Sequence, residues 1–148
     1  MRICRKSAVV TFATADGLTL EADLHRTGTT LSPAVILLHM IPPGNDRTNY
    51  PLSFREELRE AGFTVLNVDR RGAGGSEGVA ADAYQGPNGK LDAAAAVSAL
   101  SALPCPPDLS RLSIIGASNG TTTALDYALH AAESAEEDPV PHAMVFLT

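Results

Sequence analysis

Ser118 is the residue whose setting most clearly suggests chemistry. It stands in Leu112-Ser113-Ile114-Ile115-Gly116-Ala117-Ser118-Asn119-Gly120-Thr121, which contains Gly-x-Ser-x-Gly. A serine hydroxyl is a poor nucleophile until a base takes its proton and donors hold the oxyanion that forms. A sharp turn from a strand into a helix meets part of that need. It lifts the serine clear of the sheet and aims a helix N-terminus, with its free N–H groups, at the reaction centre. Gly116 and Gly120 omit side-chain bulk where neighbouring segments must come close. The N–H of Asn119 is then one expected oxyanion donor. The bare pattern is weak in a chain with 12 glycines, so the setting decides: an apolar strand precedes it and a helical run follows.

The elements that must hold this turn follow from the hydrophobic pattern. Residues 9–14 and 18–25 alternate around Asp16-Gly17 and predict a β-hairpin. Residues 34–40 form a continuous apolar run, as suits a strand buried on both faces of a parallel sheet, and 64–68 predict another apolar strand. Residues 52–61 predict an amphipathic helix stopped by Gly62, and 91–103 an Ala-rich helix stopped by Pro104, Pro106 and Pro107. A strand at 112–116, a helix at 119–132 and a strand at 143–147 complete the order. A hairpin followed by repeated strand–helix units predicts an α/β class, a mostly parallel sheet with helices on both faces, in one domain spanning 1–148.

The order and spacing of four stretches resemble the N-terminal part of the α/β-hydrolase family, of the dienelactone-hydrolase or esterase and peptidase sort. They are Val35-Ile36-Leu37-Leu38-His39, the run from Phe63 to Gly72, Gly74-Gly75-Ser76, and the Ser118 turn. The resemblance runs from the family's first strand through its sixth and covers nearly the whole chain. It implies a serine hydrolase acting on a carboxylic ester, thioester or amide of a small molecule, with no cofactor required. It also implies a second oxyanion N–H from the loop after His39. The family's glycine is replaced there by Met40, so the role falls to Met40 or Ile41; Pro42 and Pro43 have no N–H. His39 is expected to organise this loop and Asp69 to shape a neighbouring one. Arg70 or Arg71 could face substrate.

In this fold the catalytic order along the chain is Ser, then acid, then His. His130 lies twelve residues along the helix after Ser118, roughly 18 Å away at 1.5 Å per residue. His142 precedes the final strand, at the opposite edge of a parallel sheet. Neither suits a general base. Asp126 and the acidic run of Glu133, Glu136, Glu137 and Asp138 also sit along or beyond that helix. The expectation is that acid and histidine lie beyond Thr148 and that the chain is a truncated product, inactive alone. The competing expectation is a non-catalytic remnant or binding module that keeps the fold. Strand 143–147 would then be an exposed apolar edge that drives self-association.

Composition excludes other classes. The chain has 148 residues, 45% hydrophobic, and a net charge of −6, which argues against nucleic acid or an anionic membrane as partner. A dinucleotide loop fails because Gly72-Ala73-Gly74 would need a glycine where Glu77 stands, and no Gly-Lys-Ser/Thr is present. The four histidines lie singly, outside metal-ligand spacings. Cys4 and Cys105 are far apart in sequence. They are expected to stay unpaired, in a cytoplasmic protein without a signal segment.

Overall fold

The computed structural model describes Cys4, residues 6–134 and residues 138–148. Glu136 and Glu137 of the acidic run, and most of the first five residues, lie outside these.

Strands β1 (Ala8–Ala13) and β2 (Thr19–His25) form the predicted antiparallel hairpin. Four further strands follow: β3 (Ala34–Leu38), β4 (Thr64–Val68), β5 (Leu112–Ala117) and β6 (Ala143–Leu147). The sheet order is β1-β2-β4-β3-β5-β6. Strand β2 meets β4 antiparallel, and β3 through β6 pair parallel. Every residue of β3 and β4 is buried, Thr64 and Asn67 of β4 among them.

Helices cover both faces. Helix α1 (Leu52–Glu60) brings Phe54 and Leu58 onto Val35, Leu37, Val65 and Ile115. Helices α2 (Lys90–Ser101) and α3 (Gly120–Glu133) close the larger core on the other face. There Ala93, Ala96, Leu100, Ala124 and Tyr127 pack on Leu20, Ile36, Leu66 and Ile114. Three short 3-10 turns, Arg47–Asn49, Ala80–Ala83 and Leu109–Arg111, have no periodicity to announce them. Asp46 and Asp108 cap the first and third through backbone N–H groups two residues on.

The cysteines depart from expectation. Cys4 and Cys105 are joined as a disulfide across 101 residues, with Cα atoms 5.8 Å apart. Linear spacing hides this proximity, because the sheet returns the N-terminal segment to the loop before β5. Arg26 stands at the same place and donates to the carbonyls of Pro104 and Cys105. The unpaired cysteines that suggested a reducing compartment are therefore absent. No helix among the described residues is long and apolar enough to cross a membrane.

Strand β6 is an edge. Among the described residues it pairs only with β5, and Val145, Phe146 and Leu147 are 45%, 42% and 43% exposed. The register places Val145 beside Ile115 and Leu147 beside Ala117, on the face that α1 covers farther along the sheet. A free apolar edge without lysine or proline is a template for pairing with another chain. The 148-residue chain should associate as its concentration rises in size-exclusion chromatography, and Val145→Lys should shift it toward monomer. Concentration-independent monomer in both forms would contradict this.

Candidate active site

The Ser118 turn stands at the C-terminal end of β5. Ser118 has φ 49°, in the left-handed region that a non-glycine residue occupies at a cost of about 1 kcal/mol or more. The turn is over-determined by its neighbours. A Cβ on Gly116 would lie 2.7 Å from the Gly120 carbonyl, and one on Gly120 would lie 2.4 Å from the Leu38 oxygen. The Ser118 N–H donates to the Leu147 carbonyl at 2.6 Å, and the Thr121 N–H donates to the Ser118 carbonyl at 3.0 Å. Ser118 itself is exposed.

The Asn119 N–H opens helix α3 and donates to no acceptor among the described residues. The same is true of the N–H groups of Met40 and Ile41. The loop that carries these two is pinned from below by its carbonyls. His39 Nδ1 lies 2.7 Å from the Met40 oxygen, and Arg70 donates to the His39 and Met40 oxygens at 3.1 and 3.4 Å. A trans peptide sets its N–H opposite its C=O. The inward carbonyls of His39 and Met40 therefore leave the N–H groups of Met40 and Ile41 facing away from Arg70.

His39 is fully buried, and its two ring nitrogens are both used. Nε2 accepts from the Arg70 N–H at 2.9 Å, so Nδ1 carries the proton and donates to Met40. Burial depresses its pKa to about 4, with the Arg70 charge adding to the effect. His39 is thus a neutral brace in the fold. Because the folded pKa lies below the unfolded value of about 6.5, its contribution is complete above pH 6.5 and is lost as pH falls toward 4. Urea unfolding at pH 7.5 and pH 5 should differ by about 2 kcal/mol from this residue. His25, also lowered by burial, acts in the same direction. His39→Asn should flatten much of that slope.

Asp69 sits at the end of β4, 1% exposed. It accepts from the backbone N–H groups of Arg47 and Gly75 at 2.8 and 2.9 Å and forms an ion pair with the Arg47 side chain. Glu21 and Asp23 share that guanidinium. Asp69 therefore joins the loop after β4 to the turn after Met40. Arg70 and Arg71 are 0% and 1% exposed and point into the protein rather than toward a substrate. Arg71 pairs with Asp92 and Asp16. Tyr50, which carries no motif, closes the other face: its hydroxyl is buried 3.1 Å from the Leu38 oxygen and 3.3 Å from the Ile115 oxygen.

Beside the turn is a cleft of about 330 Å³ lined by Met40, Tyr50, Pro51, Phe54, Ala117 and Leu147, with Asn49 at its rim. Its lining carries no charge. The Tyr50 hydroxyl is spent on the two carbonyls above, and Asn49 accepts the Asp46 N–H in the turn's capping box.

The remaining histidines are elsewhere. His130 Nε2 is 3.3 Å from Asp138, near the far end of α3. The His142 N–H donates to the Leu112 carbonyl at the start of β5, opposite the end where Ser118 emerges. Asp126 is exposed on α3. Neither histidine shares an edge of the sheet with Ser118.

No family model matches the chain, and no curated protein matches it. Solved structures do. The described fold is that of an α/β-hydrolase in its N-terminal portion. An esterase of Pyrococcus furiosus superposes with a TM-score of 0.67 at 26% identity, over 91% of this chain and 47% of the esterase. An alpha/beta hydrolase of a Penicillium species gives 0.72 at 21% identity, over 95% and 45%. Epoxide hydrolase A of Mycobacterium thermoresistibile gives 0.73 at 22% identity, over 97% and 39%. The chain thus spans less than half the length of each of these three structures.

Proposed function

We propose that this chain supplies the nucleophile and oxyanion hole of a serine hydrolase that cleaves carboxylic esters, with thioesters and amides within reach of the same chemistry. The observation that carries the reading is Ser118 at φ 49° between two glycines whose missing side chains let the turn close, ahead of an unspent N–H at the start of α3. Oγ of Ser118 attacks the ester carbonyl carbon and gives up its proton to a base. The N–H groups of Asn119 and of Met40 or Ile41 hold the oxyanion. The tetrahedral adduct collapses, the alcohol leaves with a proton, and water then releases the acid and restores the serine. Met40 and Ala117 line the uncharged cleft beside the turn, which suits the apolar part of a small neutral substrate. The esterase among the structural neighbours points the same way.

No base is assigned among the described residues: His130 and His142 lie away from the Ser118 edge, and both ring nitrogens of His39 are already used. A binding module that keeps the turn without turnover is the competing reading, favoured by the distant positions of His130 and His142. The discriminating experiment is fluorophosphonate labelling of the full product of the native gene, with the labelled peptide mapped. An adduct on Ser118, and loss of ester turnover by about a thousandfold or more in Ser118→Ala, is expected. A folded protein that labels nowhere in the peptide 112–121 supports the binding module instead.

A further inference from the structure

Arg70 is a buried cation on a neutral lattice. Its guanidinium is fully buried and donates to the oxygens of His39, Met40 and Ala83 and to Thr123 Oγ1. No carboxylate lies within ion-pair distance of it among the described residues. Asp92, the acid that bears on it electrostatically, is hydrogen-bonded to Arg71 instead. Burial lowers the Arg70 pKa only to about 10, so the charge persists at neutral pH. Burying an unpaired ion costs several kcal/mol even after relaxation. Carbonyl satisfaction does not explain that cost, because a neutral amide can donate to carbonyls. The arginine is not even fully satisfied: its Nε is buried without a partner.

The position of the charge offers an explanation. It sits against the oxygen side of the peptides 39–40 and 40–41, whose N–H groups face the other way. A cation on a carbonyl oxygen draws electron density toward that oxygen, and across the conjugated amide it makes the opposite N–H a stronger donor. The closer contact is to the His39 oxygen, 3.1 Å against 3.4 Å for Met40. Arg70's charge therefore bears most directly on the N–H of Met40, while the Met40 oxygen also takes the neutral His39 Nδ1–H at 2.7 Å. Thr123, one turn into α3, and Ala83 fix the guanidinium from the far side, so the charge cannot swing away.

We infer that Arg70 is a positioning residue for transition-state stabilisation: it acts through the His39–Met40 peptide and selects the Met40 N–H as the second oxyanion donor. It touches no substrate. The inference rests on the serine-hydrolase reading of Ser118, and the test separates the two.

The first measurement compares trifluoromethyl octyl ketone, which Ser118 converts to an anionic hemiketal, with its parent methyl octyl ketone, which stays neutral. In the full gene product, Arg70→Met should weaken the anionic adduct by roughly tenfold to a hundredfold, somewhat less than removal of a donor outright. Binding of methyl octyl ketone should hold within about twofold, and Arg70→Lys, which keeps the charge, should recover part of the loss. The second measurement needs no chemistry. In the wild-type NMR spectrum the Met40 amide proton should lie downfield, and it should move upfield in Arg70→Gln but much less in Arg70→Lys. Arg70→Gln also serves the first measurement where Arg70→Met fails to fold. Equal weakening of ketone and trifluoroketone, or a Met40 amide proton indifferent to charge, overturns the inference. A wild-type protein that forms no hemiketal while its Met40 shift follows the charge overturns the hydrolase reading and leaves the polarised peptide standing.

Discussion

Gly120→Val should cost about 3 kcal/mol or more in urea unfolding and should remove any Ser118 adduct from whatever protein still folds. A Cβ at Gly120 would stand 2.4 Å from the Leu38 oxygen, 2.7 Å from the His39 oxygen and 3.0 Å from the Leu38 carbon. All three are backbone atoms at the end of β3, a fully buried strand held by β4 on one side and β5 on the other. None can turn aside as the tip of a flexible side chain would. Relief requires α3 to move off the sheet, and α3 carries Ala124, Tyr127 and Ala131 in the main core. Gly44 provides the control, since nothing lies within 4 Å of its added Cβ. Gly44→Ala should stay within about 0.5 kcal/mol of wild type. Equal stability for the two variants would mean that the close approach of α3 to β3 is wrong.

Asp92→Ala should destabilise the fold by about 3–5 kcal/mol, because it strands the Arg71 guanidinium inside the protein. Asp92 is fully buried and accepts from the Arg71 backbone N–H at 2.9 Å and from its Nε at 2.8 Å. It also occupies the first turn of α2, where a negative charge meets the positive end of the helix. Arg71 would keep only Asp16, a half-exposed partner whose carboxyl Arg71 holds down to about 2. Removing both charged groups is the informative comparison. Asp92→Leu combined with Arg71→Leu should recover much of the loss, although the double variant still leaves the residue-71 N–H without its acceptor. If chemical unfolding shows the single variant costing under about 1 kcal/mol, the pair is not the clamp between α2 and the end of β4 described here.

The parts of this molecule that burial dictates were visible in the sequence. The run at β3 admits no polar face, so its parallel, doubly covered placement followed directly, and β6 begins and ends where the apolar residues do. Gly116, Ser118 and Gly120 were legible because a strand-to-helix turn of this tightness tolerates few residue types. The ends of elements were less so. Strand β3 stops at Leu38 although the apolar run continues to Met40, because Arg70 claims the His39 and Met40 oxygens. That contact joins residues about thirty positions apart, and no local pattern records it. The same is true of Asp92 under Arg71, Tyr50 between two strand ends, and Cys4 against Cys105. Each is a long-range pairing of ordinary residue types. Arg70 was the hardest to read. A charge at a strand end usually meets water, and only the packed fold shows it sealed beneath the loop.

The bond from the Ser118 N–H to the Leu147 oxygen couples the Ser118 turn to the most exposed strand of the sheet. An amide hydrogen-bonded within a sheet would ordinarily exchange with solvent only when that sheet opens. Here its acceptor belongs to an edge that can peel from β5 while the rest of the sheet stays intact. The Ser118 amide thus becomes a local gauge, whose deuterium uptake follows the detachment of a five-residue strand rather than global unfolding. Whatever seals the far side of β6 would slow that uptake and, by the same bond, stiffen the serine.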